Sequence, residues 1–359
     1  MVSLSGAVLV YAPEIDRALN RHLWEVSDGP DARLTPSAVL ELVANRHPER
    51  PIRVFQSFSD PTRPMIVQAG RDFRVFVHPR SGEILGERAP SQTFTGRIEG
   101  LHKDLLAGEI GRTVVDVSTI LLVVILVLGW WLWWPTTRAR VQASFVLHFR
   151  RGWKRVNYDL HNVLGFYVSL VLLLLALSGI VLAYPSVGQV LRQVAGEGSA
   201  TPPASGVTSP TTDPPGPTAG RGDALQDWTI VDGAVERAVR EVPGAIVTTV
   251  RFPPPAGGPL RVIRTLSIDP SVGETLLVDP GSGEVLEIIR QSDVTRGTIV
   301  NRLVVFIHLG TVFGGPSKLI AFLVCLVATT LPITGVIVWF PRWRRRQRRK
   351  RRALRPERR

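Results

Sequence analysis

A single cysteine, Cys325, stands in 359 residues, so the chain can form neither an internal disulfide nor a thiolate metal cluster. It lies inside a long apolar run, where one thiol acts as a small packing group. The spacings of common catalytic sites are also missing. There is no His-Glu-x-x-His pair, no Gly-x-Ser-x-Gly elbow and no phosphate-cradling glycine loop. Hydrolase and nucleotide-binding chemistry therefore find no support. Acidic residues are absent from Thr136–Arg155, which carries seven basic side chains, His148 among them. Arg342–Arg359 carries twelve basic residues against one acid, so +11 of the net +13 sits there. Charge is nearly absent from three other stretches: Val114–Trp134 holds one acid, while Val163–Tyr184 and Leu319–Phe340 hold none.

Those three runs set the class. Each spans about 22 residues, or roughly 33 Å of helix, which matches a hydrocarbon core. Tryptophans cluster at the end of the first, as at a membrane interface. The basic loop and the basic tail mark one side of the membrane, which the charge rule makes cytoplasmic. The tail follows a membrane run directly, so it reads as a stop-transfer segment beside acidic lipid and not as a nucleic-acid arm. The long segments 13–112 and 185–317 then face the other side, periplasmic or extracellular in a bacterium. The first dozen residues, "MVSLSGAVLVYA", are apolar but reach only half-way across a bilayer. Pro13-Glu14 is a poor match to a signal-peptidase site. This start reads as the outer half of a truncated first membrane helix.

The chain repeats itself. "LHKDLLAGEIGRTVVDVSTILLVVILVLGWWLWWP" (Leu101–Pro135) aligns without a gap on Ile307–Pro341 at an offset of 206. His102 meets His308, Gly108 meets Gly314, Arg112 meets Lys318, and Gly129 meets Gly335. "VFVHPRSGEILG" matches "LLVDPGSGEVLE" at an offset of 201, each a strand, a turn and a strand. A helical stretch precedes each, with Thr35 and Asp232 as expected N-caps. Leu4, Ser5, Gly6, Val8 and Leu9 match Leu177–Leu182 at an offset of 173.

The expected fold is an α-helical integral membrane protein. It is a four-helix bundle with a truncated first helix and two outer α+β modules, built by internal duplication. The expected boundaries are 1–12 for the half helix, 13–100 for the first module, and 101–135 for an elbow and the second helix. A basic loop (136–158) and the third helix (159–185) follow. Then come a Pro/Gly/Ser-rich linker (186–224), the second module (225–300), an elbow and fourth helix (301–341) and the tail (342–359).

Three histidines sit in or beside membrane runs, where ionisable groups are costly. His102 and His308 each lie 33 residues before the proline that ends the run, which places them at or above the outer face. They are either anchors at the interface or a matched pair of ligands. His161 begins a helix that runs outward, so it lies near the cytoplasmic face. His22, His47 and His78 stand in turn contexts and read as solvated, as does His148.

"NYDLHNVLGFYVSLVLLLLALSGIVLAYP", "LHKDLLAGEIGR", "IHLGTVFGGPSKLIAF" and "DPGSGEVL" resemble the PepSY-associated transmembrane proteins. These are bacterial inner-membrane proteins with periplasmic PepSY-type modules. The resemblance covers nearly the whole chain except the linker and tail. Some members resemble haem-containing ferric-siderophore reductases. That implies haem b, with His102 and His308 as the axial pair of an outer haem. It also implies an inner haem on His161, whose partner would fall about a dozen positions before Met1 by the offset of 173. The implied partners are the lipid bilayer, a ferric siderophore and an electron donor the sequence does not identify; no nucleic acid is expected. The other reading open to the residues is a non-enzymatic membrane protein whose modules bind a peptide, protein or envelope ligand.

Overall fold

The computed structural model describes residues 1–27, 32–133, 152–196, 227–254, 257–266 and 273–353. His148, most of the basic loop and most of the linker lie outside the described residues. A similar order of elements occurs twice, with one helix fewer ahead of the strands in the second pass. The first pass runs α1 (Val2–Leu9), α2 (Ala12–Leu19), α3 (Arg21–Trp24) and α4 (Pro36–Arg46). Then come β1 (Ile52–Phe58), β2 (Met65–Ala69), β3 (Arg74–Val77), β4 (Ile84–Arg88), α5 (Phe94–Asp104) and α6 (Gly108–Trp133). The second pass runs α7 (Trp153–Ala183), α8 (Pro185–Val194) and α9 (Thr229–Glu241). It continues through β5 (Val247–Arg251), β6 (Leu260–Thr265), β7 (Gly273–Val278), β8 (Val285–Ile289), α10 (Arg296–Leu309) and α11 (Gly315–Ala353). The chain divides into two compact units. One holds Met1–Tyr11, Ile98–Gln189 and Leu303–Arg359, and the other holds Ala12–Arg97 and Val190–Arg302.

The second unit is an α+β layer. The two modules expected from the sequence share a single antiparallel sheet of eight strands, in the order β4-β3-β2-β1-β5-β6-β7-β8. Their joint is the β1–β5 pair, in register from Val54 opposite Arg251 to Phe58 opposite Val247. Alternation along the strands sends Phe55, Val67, Val75, Val250, Val262 and Leu276 to one face, all fully buried. Val39, Leu40 and Val43 of α4 and Val231 of α9 close that core. Thr35 caps α4 as expected, its Oγ1 accepting from the Ala38 N–H, with Pro36 at the first helical position. Asp232 does not cap α9, contrary to expectation. The helix starts at Thr229, where the Asp227 carboxylate accepts the Thr229 N–H at 2.8 Å. Asp232 instead bridges the two helices, accepting from the backbone N–H and hydroxyl of Ser37 at 2.8 and 2.5 Å. The matched hairpin turns place Gly82 and Gly283 at φ near +75° and +71°, which favours glycine.

On the opposite face, Leu23 and Trp24 cover Ile66, Phe76 and Phe58. The Asp16 carboxylate holds this cover, accepting from Trp24 Nε1 at 2.9 Å and from both terminal nitrogens of Arg88. His22 is exposed, as expected for a solvated residue. His47 is not solvated: its side chain is 15 % exposed, sits edge-on to Phe73 and places Nε2 3.1 Å from Glu87. Its place at the end of α4 turns it back onto the sheet. His78 is half-buried and accepts the Arg80 and Ser81 N–H groups within its own turn.

The first unit is helical. Among the described residues, three helices are long and apolar enough to cross a membrane: Gly108–Trp131, Trp153–Ala183 and Gly315–Gln347. α1 adds eight residues, all but Ser3 and Ser5 without a polar side chain, about 12 Å of helix. α7 packs against α6 and α11, and α11 packs against α1. Val168 and Leu172 meet Val324 and Ala328 at the centre. The outer faces of these helices are apolar and exposed, which only a lipid solvent tolerates. α11 does not stop at Pro341 but continues into the tail to Ala353. A proline removes one backbone donor, and the arginine-rich sequence beyond it has good helix propensity, so the helix resumes.

Candidate functional site

The bundle has a near end, where α7 finishes and α6 and α11 begin. Two elbows lie there. α5 ends at Asp104, and the backbone enters the left-handed region at Leu105, Leu106 and Gly108 before α6 starts. Asp104 Oδ1 accepts the Leu106 N–H across this turn. A side chain on Gly111 would sit 1.7 Å from the Asp104 carbonyl oxygen, so the elbow requires glycine there. The second elbow, between α10 and α11, turns at Gly310 and Gly314. Each elbow follows a histidine by only a few residues. It therefore fixes where that imidazole meets the bundle.

His102 meets α1. Its Nδ1 lies 3.0 Å from the Val2 carbonyl oxygen and 3.2 Å from Ser5 Oγ. His308 meets α7 in the same way, with Nδ1 3.1 Å from the Leu175 carbonyl and 3.3 Å from Ser178 Oγ. Val2 and Leu175, like Ser5 and Ser178, are 173 residues apart. A carbonyl oxygen only accepts, so the network assigns the proton of each ring to Nδ1. Nε2 then carries the lone pair and is the atom free to bind a metal. Both rings lie close over a glycine: a Cβ on Gly6 would stand 3.2 Å from His102 Cε1, and one on Gly179 would stand 3.1 Å from His308 Cε1. Cys325 packs beside Gly6 as a small buried side chain.

The two imidazoles are neighbours, with ring centroids 6.2 Å apart and planes tilted by 58°. With metal–imidazole bonds of about 2 Å and a ring radius of about 1 Å, two imidazoles on opposite faces of one ion have centroids about 6 Å apart. Burial pushes His308 down to about 4, with repulsion from His102 adding to it. Burial also lowers His102, partly offset by its bond to Val2. Both rings are therefore neutral near pH 7, the form that ligates. Among the described residues no group of three or more His, Cys, Asp or Glu is placed to hold an ion. Two nitrogens alone are a thin shell for iron, so this pair suits a metal whose other positions a macrocycle fills.

Polar residues also line the near-end rim. Tyr11 and Tyr184 share the 173 offset. Tyr184 donates to Asp116 at 2.9 Å, while Tyr11 sits edge-on to Phe322, the residue matched to Asp116 at 206. Arg112 donates to the Ala183 carbonyl, and its counterpart Lys318 lies over the Tyr11 ring.

A family model described as the PepSY-associated TM region matches residues 1–342. The chain belongs to that family. A comparison with curated proteins finds no match. In this PepSY-associated chain, His161 lies at the far end of the bundle. Its Nδ1 is 2.8 Å from Thr334 Oγ1 on α11, and a Cβ on Gly335 would stand 3.2 Å from its Cε1. It precedes Ser178 by 17 residues on α7, about 25 Å along the helix, so it shares no metal with His308. The structure thus brings two of the three expected histidines together and leaves the third apart.

The PepSY-associated sequence holds a signal for the residues that seat them. "LSGAVL" (Leu4–Leu9), "LSGIVL" (Leu177–Leu182) and "ITGVIV" (Ile333–Val338) share an apolar residue, a hydroxyl, a glycine and three apolar residues. The first two are landmarks of the repeat, while the third falls outside the 173 offset.

Proposed function

We propose that this is a haem-b electron-transfer protein of the bacterial inner membrane that reduces a ferric chelate, such as a ferric siderophore, in iron uptake. His102 and His308 would hold one haem through their Nε2 atoms. The observation that carries this is the close pair of neutral imidazoles, ring centroids 6.2 Å apart, each with Nδ1 bound and Nε2 left for a metal. Bound haem supplies one-electron chemistry, and the chain supplies ligands, depth and a dry housing. One electron enters from a donor and one leaves to the ferric ion, which becomes ferrous. Elbow and bundle hold the two rings before the cofactor arrives, so little ordering remains to be done on binding. His161 is assigned to a second haem near the cytoplasmic face.

The topology that goes with this reading puts the sheet unit in the periplasm and the arginine-rich tail in the cytoplasm. The paired offsets and matched contacts support a duplicated four-helix bundle, of which α1 is the short member. An absorption spectrum of the purified protein from haem-replete cells tests the function. A Soret band that shifts on dithionite reduction, and loses intensity in both His102→Ala and His308→Ala, is expected. A colourless protein sinks the proposal and leaves the sheet unit as a ligand-binding module on a membrane anchor.

A further inference from the structure

Three histidines in this bundle sit on the same device. His102 rests on Ser5-Gly6, His308 on Ser178-Gly179 and His161 on Thr334-Gly335. In each, the hydroxyl donates its own proton to a carbonyl one turn back in its helix. Ser5 donates to Val2 at 2.9 Å, Ser178 to Leu175 at 3.0 Å and Thr334 to Leu331 at 3.1 Å. Its lone pairs are then the side offered to the imidazole, which matches a ring with Nδ1 protonated. The glycine removes the Cβ that would otherwise push the ring away. The helices exchange roles between the ends: α7 provides the seat for His308 and carries His161, which is seated on α11.

We infer that Ser5, Ser178 and Thr334 are positioning residues that set the tautomer of the ligand histidines and so tune the bound metal. This rests on the reading of those histidines as haem ligands. Hydrogen bonding at Nδ1 raises the donor strength of Nε2, which favours ferric iron. At the near end each ring has two acceptors, a hydroxyl and a carbonyl. At the far end His161 has the Thr334 hydroxyl. The seats therefore act separately on the two ends.

The test uses the full chain in lipid nanodiscs. Ser178→Ala raises the midpoint potential of the near-end haem and weakens haem retention about tenfold. Ser178→Thr restores both, because the hydroxyl returns. Thr334→Val, which keeps the shape and loses the hydroxyl, moves only the far-end signal. Wild-type potentials and retention in Ser178→Ala and Thr334→Val overturn the inference. Nitrogen NMR of histidine-labelled, haem-free protein gives a second arm that needs no cofactor. Nδ1–H on both His102 and His308 is expected, and Nε2–H on either overturns the seats. If the wild type takes up no haem, the proposed function fails while this arm still decides the tautomer.

Discussion

The two units solve the same problem in opposite solvents. The sheet unit buries Phe55, Phe76, Leu260 and Leu276 completely and leaves most of its charges outside. The helical unit turns Leu121, Ile125, Trp131 and Ile333 outward and keeps Ser5, Asp159, Ser169 and Ser178 inside. In water, apolar area drives packing. In lipid it does not, so helices associate through close small-residue contacts and internal hydrogen bonds. The difference shows why the histidine seats belong to the bundle. Its interior already has to satisfy polar groups, so an imidazole bound by a hydroxyl and a carbonyl costs little more there.

Four measurements probe this contrast, from the largest effect to the smallest. Phe55→Ala removes the ring at the joint of the two half-sheets, and a loss of about 3–5 kcal/mol is expected. Hydrogen exchange across β1 and β5 in the full chain reads it, while the bundle amides stay protected. Leu121→Arg, at a site 55 % exposed on α6, costs about 3 kcal/mol of membrane insertion, whereas Leu121→Ala is nearly neutral. The fraction of protein integrated in the membrane checks this; equal fractions for both variants would mean that this face is not lipid-exposed. Asp232→Ala cuts the two bonds to Ser37 and costs about 1–2 kcal/mol in a denaturant titration of the sheet unit. Finally, Gly335→Ala lowers the melting temperature in detergent by crowding His161, while Gly129→Ala raises it slightly. Nothing lies within 4 Å of a Cβ at Gly129, so the helix propensity of alanine, up to about 1 kcal/mol, acts alone there. The same sign at both glycines would remove the distinction between a seat and an ordinary helix position.

Much of this was legible in the sequence because it depends on local pattern. Apolar runs without charge mark α6, α7 and α11, and the offsets of 206 and 201 mark the matched elbows and hairpins. The pairing of His102 with His308 followed from the same offsets. Contacts between distant segments were not legible. Asp232 has the residue type and place of an N-cap, but Ser37, 195 residues away, claims its carboxylate. His47 stands in a turn context, yet Phe73 and Glu87 enclose it. Pro341 looked like a helix end, but the backbone on either side continues its hydrogen bonds.

The sequence by itself determined that the chain enters a membrane, that its halves match, and which histidines lie in or beside its membrane runs. Hydrophobic length and residue identity are enough for that, since each acts within a single helix. Only the tertiary structure decided that two modules share one sheet, because strand pairing between β1 and β5 depends on which edges meet. It alone brought a carbonyl and a hydroxyl of another helix against Nδ1 of His102 and of His308, from about 100 and about 130 positions away.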